Sequence, residues 1–243
     1  MRDTELLSRL REAGEAELVE LVRARAEELN PGAARQVLKN PFAGLEVIEL
    51  LLKQRRLLSS QEVRRELVAH PATPEVRALN LLPGLFWRDL LKLGADVRTK
   101  PRVRRAADLR LAEKLSTMSV GERIAIARQA GQGTLTRLRH DPHPRVIGAL
   151  LENPRLTEGL LGPLLSSDTA NPQVLARVAE DRRWGIRYGV KVILARNPRT
   201  PVTTNLGILS GLKKRDLNAV ANDWRINAVV RRRANLLLGR EPG

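Results

Sequence analysis

The chain of 243 residues contains no cysteine, only three histidines, and few aromatic side chains, 2% in all. Without a thiol there is no disulfide, no thiolate metal site and no cysteine nucleophile. His70, His140 and His143 are too few for a histidine-rich metal centre. His140-Asp141-Pro142-His143 gathers two of them, but Pro142 and Pro144 mark a loop, and a solvated turn is expected there. No stretch approaches 18 apolar residues, and Met1 to Leu10 lacks the apolar run of a secretory signal. No membrane span and a cytoplasmic location are therefore expected. A core without aromatics must come from Leu, Val, Ile and Ala. With no alternating β-branched runs, that predicts an all-α fold.

Negative charge is scarce beyond the N-terminus. The formal net charge is +16, yet residues 1–30 hold five Arg against eight Asp and Glu, so the remainder carries +19. Such an excess favours a polyanionic partner, nucleic acid first, with an anionic membrane surface or an acidic protein after it. Arg outnumbers Lys 35 to 8. A GC-rich genome explains arginine in place of lysine but not the shortage of acids. Catalytic motifs are missing too. Gly131-Gln132-Gly133 lacks the Lys-Ser or Lys-Thr of a phosphate cradle, and no Ser, His and Asp arrangement stands out. No cofactor is expected, and a binding role is favoured over an enzymatic one.

What the chain does contain is a copy of part of itself. Residues 70–111 match 197–238 without a gap at an offset of 127, with 18 identities over 42 positions. His70-Pro71-Ala72-Thr73-Pro74 returns as Asn197-Pro198-Arg199-Thr200-Pro201, and Arg88-Asp89-Leu90 as Arg215-Asp216-Leu217. Repeats of this size point to stacked helical units, none of which buries its apolar face alone. Asn-Pro or His-Pro pairs recur at Asn40, His70, Asn153, Asn171 and Asn197, and the offset is about three units of 42. One joint is missing near residue 112, where Ala112-Glu113-Lys114-Leu115 runs on. At 197–201, Pro198 should end one helix, Thr200 cap the next, and Pro201 sit in its first turn. Ser59-Ser60-Gln61-Glu62 and Ser119-Val120-Gly121-Glu122 read as capping boxes. Residues 4–13 and 15–29, split at Gly14 and stopped by Asn30-Pro31-Gly32, read as two amphipathic helices with an acidic outer face. We expect residues 1–30 to cap a helical array over 31–240, and look for bends at Gly131-Gln132-Gly133 and Pro142-His143-Pro144.

These joints, with Asp-x-x-x-x-Val-Arg-like segments between them, resemble the leucine-rich repeat variant family and its HEAT-type relatives. The resemblance spans roughly residues 36–238 and is strongest at 70–111 and 197–238. With the offset match it leads us to expect a right-handed α-solenoid of short antiparallel helices, monomeric and acting as a scaffold. Members of the family can carry a cysteine cluster for an iron–sulfur centre; this chain has none. Some HEAT-like proteins are DNA glycosylases for alkylated bases, similar to this chain in size, basicity and helical make-up. Their aromatic and acidic pocket finds no residue-by-residue match, and Trp87 with Asp89 is the nearest candidate.

The resemblance also implies a ladder of Asp–Arg pairs between units: Asp96 with Arg104, Asp141 with Arg145, Asp181 with Arg187, and Asp223 with Arg231. The cations left over repeat with the unit and should align as a stripe that meets phosphates: Arg98, Lys100, Arg102 and Arg105, then Lys213, Lys214, Arg215, Arg232 and Arg233. Trp87 is a candidate ligand contact, because its position carries Lys214 in the second copy. Trp184 and Tyr188, one helical turn apart, are expected at a seam between units. Asp89 and Asp216, each beside an arginine, are expected as salt-bridged structural groups in preference to acid catalysis.

Overall fold

The computed structural model describes residues 2–240. The described residues form eighteen α-helices and two 3-10 turns, with no strand. By contacts the chain divides into two compact units, Met1–Ser116 and Thr117–Gly243. The first holds α1 (Arg2–Glu12), α2 (Glu15–Arg25), α3 (Pro31–Lys39), α4 (Leu45–Lys53), α5 (Arg55–Ser59), α6 (Gln61–Ala69), α7 (Glu75–Leu81), α8 (Trp87–Ala95) and α9 (Pro101–Lys114). The second holds α10 (Val120–Ala127), α11 (Gln132–Leu138), α12 (Pro144–Leu151), α13 (Glu158–Leu165), α14 (Pro172–Glu180), α15 (Tyr188–Arg196), α16 (Val202–Leu209), α17 (Lys214–Asn222) and α18 (Ala228–Leu237).

The offset of 127 extends well beyond the segment where identities are dense. α4, α6 and α8 coincide with α14, α15 and α17 at both ends, and α7 and α9 begin where α16 and α18 begin. Burial repeats in the same register. Ala34, Val37 and Leu38 correspond to Leu161, Leu164 and Leu165; Val47, Ile48 and Leu51 to Val174, Leu175 and Val178. Val63, Leu67 and Val68 correspond to Val190, Leu194 and Ala195, and Val103 and Ala107 to Val230 and Ala234. The faces persist while the residue types drift, because a core of this kind asks for apolar volume at helical spacing and not for one side chain.

Within the second unit α10, α12, α14, α16 and α18 pack each on the next, forming one row. α13, α15 and α17 form a second row behind it, and α11 lies against α10 and α12. In the first unit α1 packs on α3 and α3 on α6, while α2 packs on α4 and α7 on α9. Helices touch near neighbours in sequence throughout each unit. Leu10, Leu18 and Val22 of the first two helices share one buried cluster with Val37, Leu51 and Leu67 of the helices that follow.

The joints hold these rows together. Asn40, Asn153 and Asn197 are buried. Each side-chain amide donates to two backbone carbonyls of an earlier joint: Asn40 to Leu10 and Ala13, Asn153 to Ala127 and Ala130, Asn197 to Leu165 and Ser167, at 2.6 to 3.2 Å. Its Oδ1 accepts the amide two residues on, from Phe42, Arg155 and Arg199 respectively. One side chain thus satisfies helix-end groups of two successive turns that would otherwise be orphaned. Thr200 does not cap α16 as expected. Its hydroxyl turns back to donate to the Leu194 carbonyl at 2.7 Å, and Pro201 takes the capping position. Ser119 and Glu122 form the full capping box, whereas Ser60 caps α6 alone because Val63 occupies the third helical position.

Candidate functional site

The arginines must be sorted by what holds them. Many are consumed by carbonyls. Arg56 donates to the Glu27 and Leu29 carbonyls, and Arg183, 127 residues later, to those of Asn153, Pro154 and Leu156. Glu27 and Leu29 stand 127 before Pro154 and Leu156, so the two carbonyl contacts of Arg56 are repeated by Arg183, which adds a third to Asn153. Arg183 and Arg187 also enclose the ring of buried Trp184, with guanidinium carbons 4.5 and 4.8 Å from its centre. The Trp184 Nε1–H donates to the Leu151 carbonyl at 3.0 Å, which places this residue at the expected seam between successive helix pairs. Tyr188 reaches α17, where its hydroxyl donates to Asp216 at 2.5 Å and accepts the Lys213 amide.

The ladder is not the one expected. Asp96 pairs with Arg98, accepting its amide at 2.9 Å and its guanidinium at 2.9 to 3.2 Å, and Asp223 pairs with Arg225 in the same way. A carboxylate that closes its own turn meets the side chain two residues on before any residue of the following helix. The Arg98 side chain holds the Asp96 carboxyl below its usual range, and Arg225 does the same for Asp223. Arg104 reaches only the Val97 carbonyl at 3.3 Å, and the Arg231 Nε is buried without a partner among the described residues. Asp141 pairs with Arg123 at 2.7 Å, not with Arg145, and Arg187 with Glu158 at 2.6 Å, not with Asp181.

Of the stripe expected in the first unit, three members are engaged. Arg98 is held by Asp96, Arg102 pairs with Glu75 at 3.0 Å, and Lys100 donates to the Thr73 carbonyl at 2.6 Å. Arg105 is exposed and has no partner among the described residues. In the second unit Lys214, Arg215, Arg232 and Arg233 are exposed without side-chain partners among the described residues, while Lys213 lies over the Tyr188 ring at 5.1 Å. α17 and α18 pack on each other, and Arg240, just past α18, donates to Asn218 in the middle of α17 at 2.6 Å. Trp87 is half-buried, with Arg88 over its ring at 5.2 Å. Asp89 is buried and paired with Arg65 at 3.3 Å, so it offers no free acid beside Trp87. Asp89 is thus the salt-bridged group expected, whereas Asp216 accepts from the Tyr188 hydroxyl.

Two cations that sequence reading set aside complete the picture. Arg145, on the first turn of α12, and Arg177, on the last turn of α14, line a cavity of about 280 Å³ with Ile124, Arg128, Pro144, Gly148, Ala149 and Glu152. Arg128 and Glu152 pair with each other at 3.2 Å. The side chains of Arg145 and Arg177 have no partner among the described residues. The Arg177 guanidinium lies so close over Gly148 that an added Cβ there would come within 3.0 Å of Nε. Unpaired guanidinium groups in a concavity present forked donors to phosphate or carboxylate oxygens. Arg145 escaped notice because an aspartate four residues earlier suggested an ion pair; Arg177 carried no signal until α12 and α14 were seen side by side.

The His140–His143 turn holds its side chains otherwise: Asp141 accepts the His143 amide, and His143 Nδ1 accepts the Arg145 amide to cap α12. Among the described residues no group of His, Asp or Glu could hold a metal ion, and no helix is long and apolar enough to cross a membrane. The chain matches no protein-family model, no curated protein and no solved structure.

Proposed function

We propose that the protein is a non-catalytic helical-repeat scaffold of the α-solenoid kind, similar to leucine-rich repeat variant and HEAT-like arrays. Its second unit engages a polyanion, in the first place a nucleic-acid backbone. The near-neighbour packing of two helix rows and the duplicated joints support the repeat reading. The observation that carries the binding reading is the row α10–α12–α14–α16–α18. It exposes Arg145, Arg177, Arg232 and Arg233 without partners among the described residues, while Glu152 is occupied by Arg128. Helices pack about 8 to 10 Å apart, so cations on successive helices meet successive phosphates rather than one.

The test is fluorescence anisotropy of a labelled 20-mer, as DNA and as RNA, over a range of salt concentrations. Changing Arg145, Arg177, Arg232 and Arg233 to Gln should flatten the slope of log affinity on log salt by about 0.7 to 0.9 for each phosphate no longer neutralised. Arg98→Gln and Arg102→Gln, whose charges are already paired, should leave it unchanged. Unaltered binding by the quadruple variant would refute the proposal. The alternative partner is an acidic protein, since the same guanidinium groups suit carboxylates. Binding to polyglutamate without binding to either nucleic acid would select it.

A further inference from the structure

Trp224 is the most exposed large apolar side chain of the second unit, at 81%, and its ring has no partner among the described residues. It does not hang from a loose loop. It sits between Asp223 and Arg225, in a turn closed three ways: the Asp223 carboxylate accepts the Arg225 amide at 3.1 Å and its guanidinium at 3.1 and 2.8 Å, and the Ile226 amide donates to the Asp223 carbonyl. The first unit builds the same turn from Asp96 and Arg98 and displays Val97 at its tip, 80% exposed. The turn is thus a fixed device for holding one side chain out into solvent, and the second unit puts an indole there.

The surroundings of that indole are cationic and partly hollow. Arg225 shares a cavity of about 230 Å³ with Ser166, Asp168, Val192, Ile193, Arg196 and Pro198. Arg196 and the neighbouring Arg199 are exposed and make no side-chain hydrogen bond or ion pair among the described residues, while the Arg196 charge helps to hold the Asp223 carboxyl low and Asp168 acts on Arg225. In the first unit Arg65 and Glu66 occupy the positions of Val192 and Ile193 and pair with Asp89 and Arg35. An exposed, pre-positioned aromatic face adjoining Arg225, whose cavity also holds Arg196, is what an unpaired base and its phosphate need. Every base has a π-face, whereas duplex bases are already stacked on each other.

Resting on the polyanion reading above, the geometry points to a single-stranded nucleic acid as the ligand of the second unit, with one unpaired base stacked on Trp224 and its phosphates near Arg196 and Arg199. The full chain is titrated with a labelled oligo-dT 20-mer and with a duplex of equal length, following both anisotropy and tryptophan emission. The parent should bind the single strand more tightly, with quenching of its emission. Trp184 is buried and Trp87 lies under Arg88, so Trp224 supplies the responsive signal. Trp224→Ala should weaken single-strand binding on the order of tenfold, abolish the quenching and leave duplex binding and the salt slope alone. Trp224→Phe should restore most of the loss. If the parent binds both ligands with salt-dependent affinity and Trp224→Ala changes neither, the stacking proposal fails while the polyanion reading stands. If the parent binds neither at low salt, both fall.

Discussion

The two units share a frame and differ in what covers it. Met1–Ser116 contains 22 Lys and Arg against 17 Asp and Glu, a net +5; Thr117–Gly243 contains 21 against 10, a net +11. The difference lies in the acids. Glu20, Glu46, Glu49 and Glu75 of the first unit pair with Arg23, Arg77 and Arg102. At the same offset the second unit has Ile147, Gln173, Ala176 and Val202. Exposed pairs of this sort contribute little to stability, so their loss costs the fold little. The partner arginines are lost with them, Leu150, Thr204 and Val229 standing where Arg23, Arg77 and Arg102 do, and the unpaired Arg145 and Arg177 stand where the first unit has Leu18 and Leu50. The comparison teaches that the ties which build the frame are duplicated, while the surface charge is not.

If the frames are equivalent, matched substitutions in the two units should cost the same, and the largest departure is expected at Gly185. It stands where the first unit has Leu58, yet the two are not interchangeable. Residues 55–59 form a helical turn, whereas the segment around Gly185 passes so close to the end of α14 that a Cβ would collide with the Ala179 carbonyl oxygen. Gly185→Ala should destabilise the protein by about 3 kcal/mol or more, because backbone must move, while Leu58→Ala should cost about 1 kcal/mol at a half-buried site. Thermal unfolding of both variants checks it. Equal losses would mean that the segment relaxes freely.

Asn197→Ala comes next. It removes a buried amide that satisfies two carbonyls and one amide, and should cost about 2 to 4 kcal/mol. Asn171→Ala is the contrast: that side chain only accepts the Gln173 amide at the start of α14, so about 1 kcal/mol is expected. A denaturant series that found the two equal would show that Asn-Pro pairs serve as caps alone. Sequence reading could not separate these two asparagines. Both precede proline, and the difference lies in whether an earlier joint comes within reach of the amide.

That limit is general for this chain. The apolar spacing of Val47, Ile48 and Leu51 or Val190 and Leu194 was legible as helix, and the repeat was legible wherever identities survived. The stretch from α3 to α6 against α13 to α15 was not, because burial is kept there while the letters differ. Ionic partners were the least legible. Charges pair through space, and Asp96 and Asp223 chose the arginine of their own turn over the one in the following helix. The Arg56 and Arg183 ties illustrate the same point, since a carbonyl has no letter of its own. Replacing either with Met should cost about 1 to 2 kcal/mol, and the two costs should agree within about 0.5 kcal/mol if the ties are equivalent. Urea unfolding of the two variants side by side measures the difference.

The smallest effect concerns His70, which stands where the second copy has Asn197. Its Nδ1 accepts the Ala72 amide at 3.2 Å, which requires an unprotonated nitrogen, but no hydrogen bond from the ring reaches an earlier joint among the described residues. Burial lowers its pKa below the ordinary imidazole value of 6.5, and the Lys100 ammonium lowers it further. The sign follows from which state takes the proton first. As pH falls through 6.5 the unfolded chain protonates while the folded ring stays neutral, so protons favour unfolding. Stability contributed here is whole above pH 6.5 and is lost as pH drops toward the lower folded-state pKa. His70→Asn should remove that component of the pH dependence between about pH 7 and 5. Asn197→His, at a more deeply buried position, should acquire a dependence of the same sign with burial as its main cause, since the position matching Lys100 is Asn227 and carries no charge. Urea midpoints at about pH 7 and pH 5 for the parent and both variants measure it. A parent whose stability does not fall with pH over that range, or a His70→Asn chain that falls as steeply as the parent, would show that the ring is solvated and that the two joints are electrostatically alike.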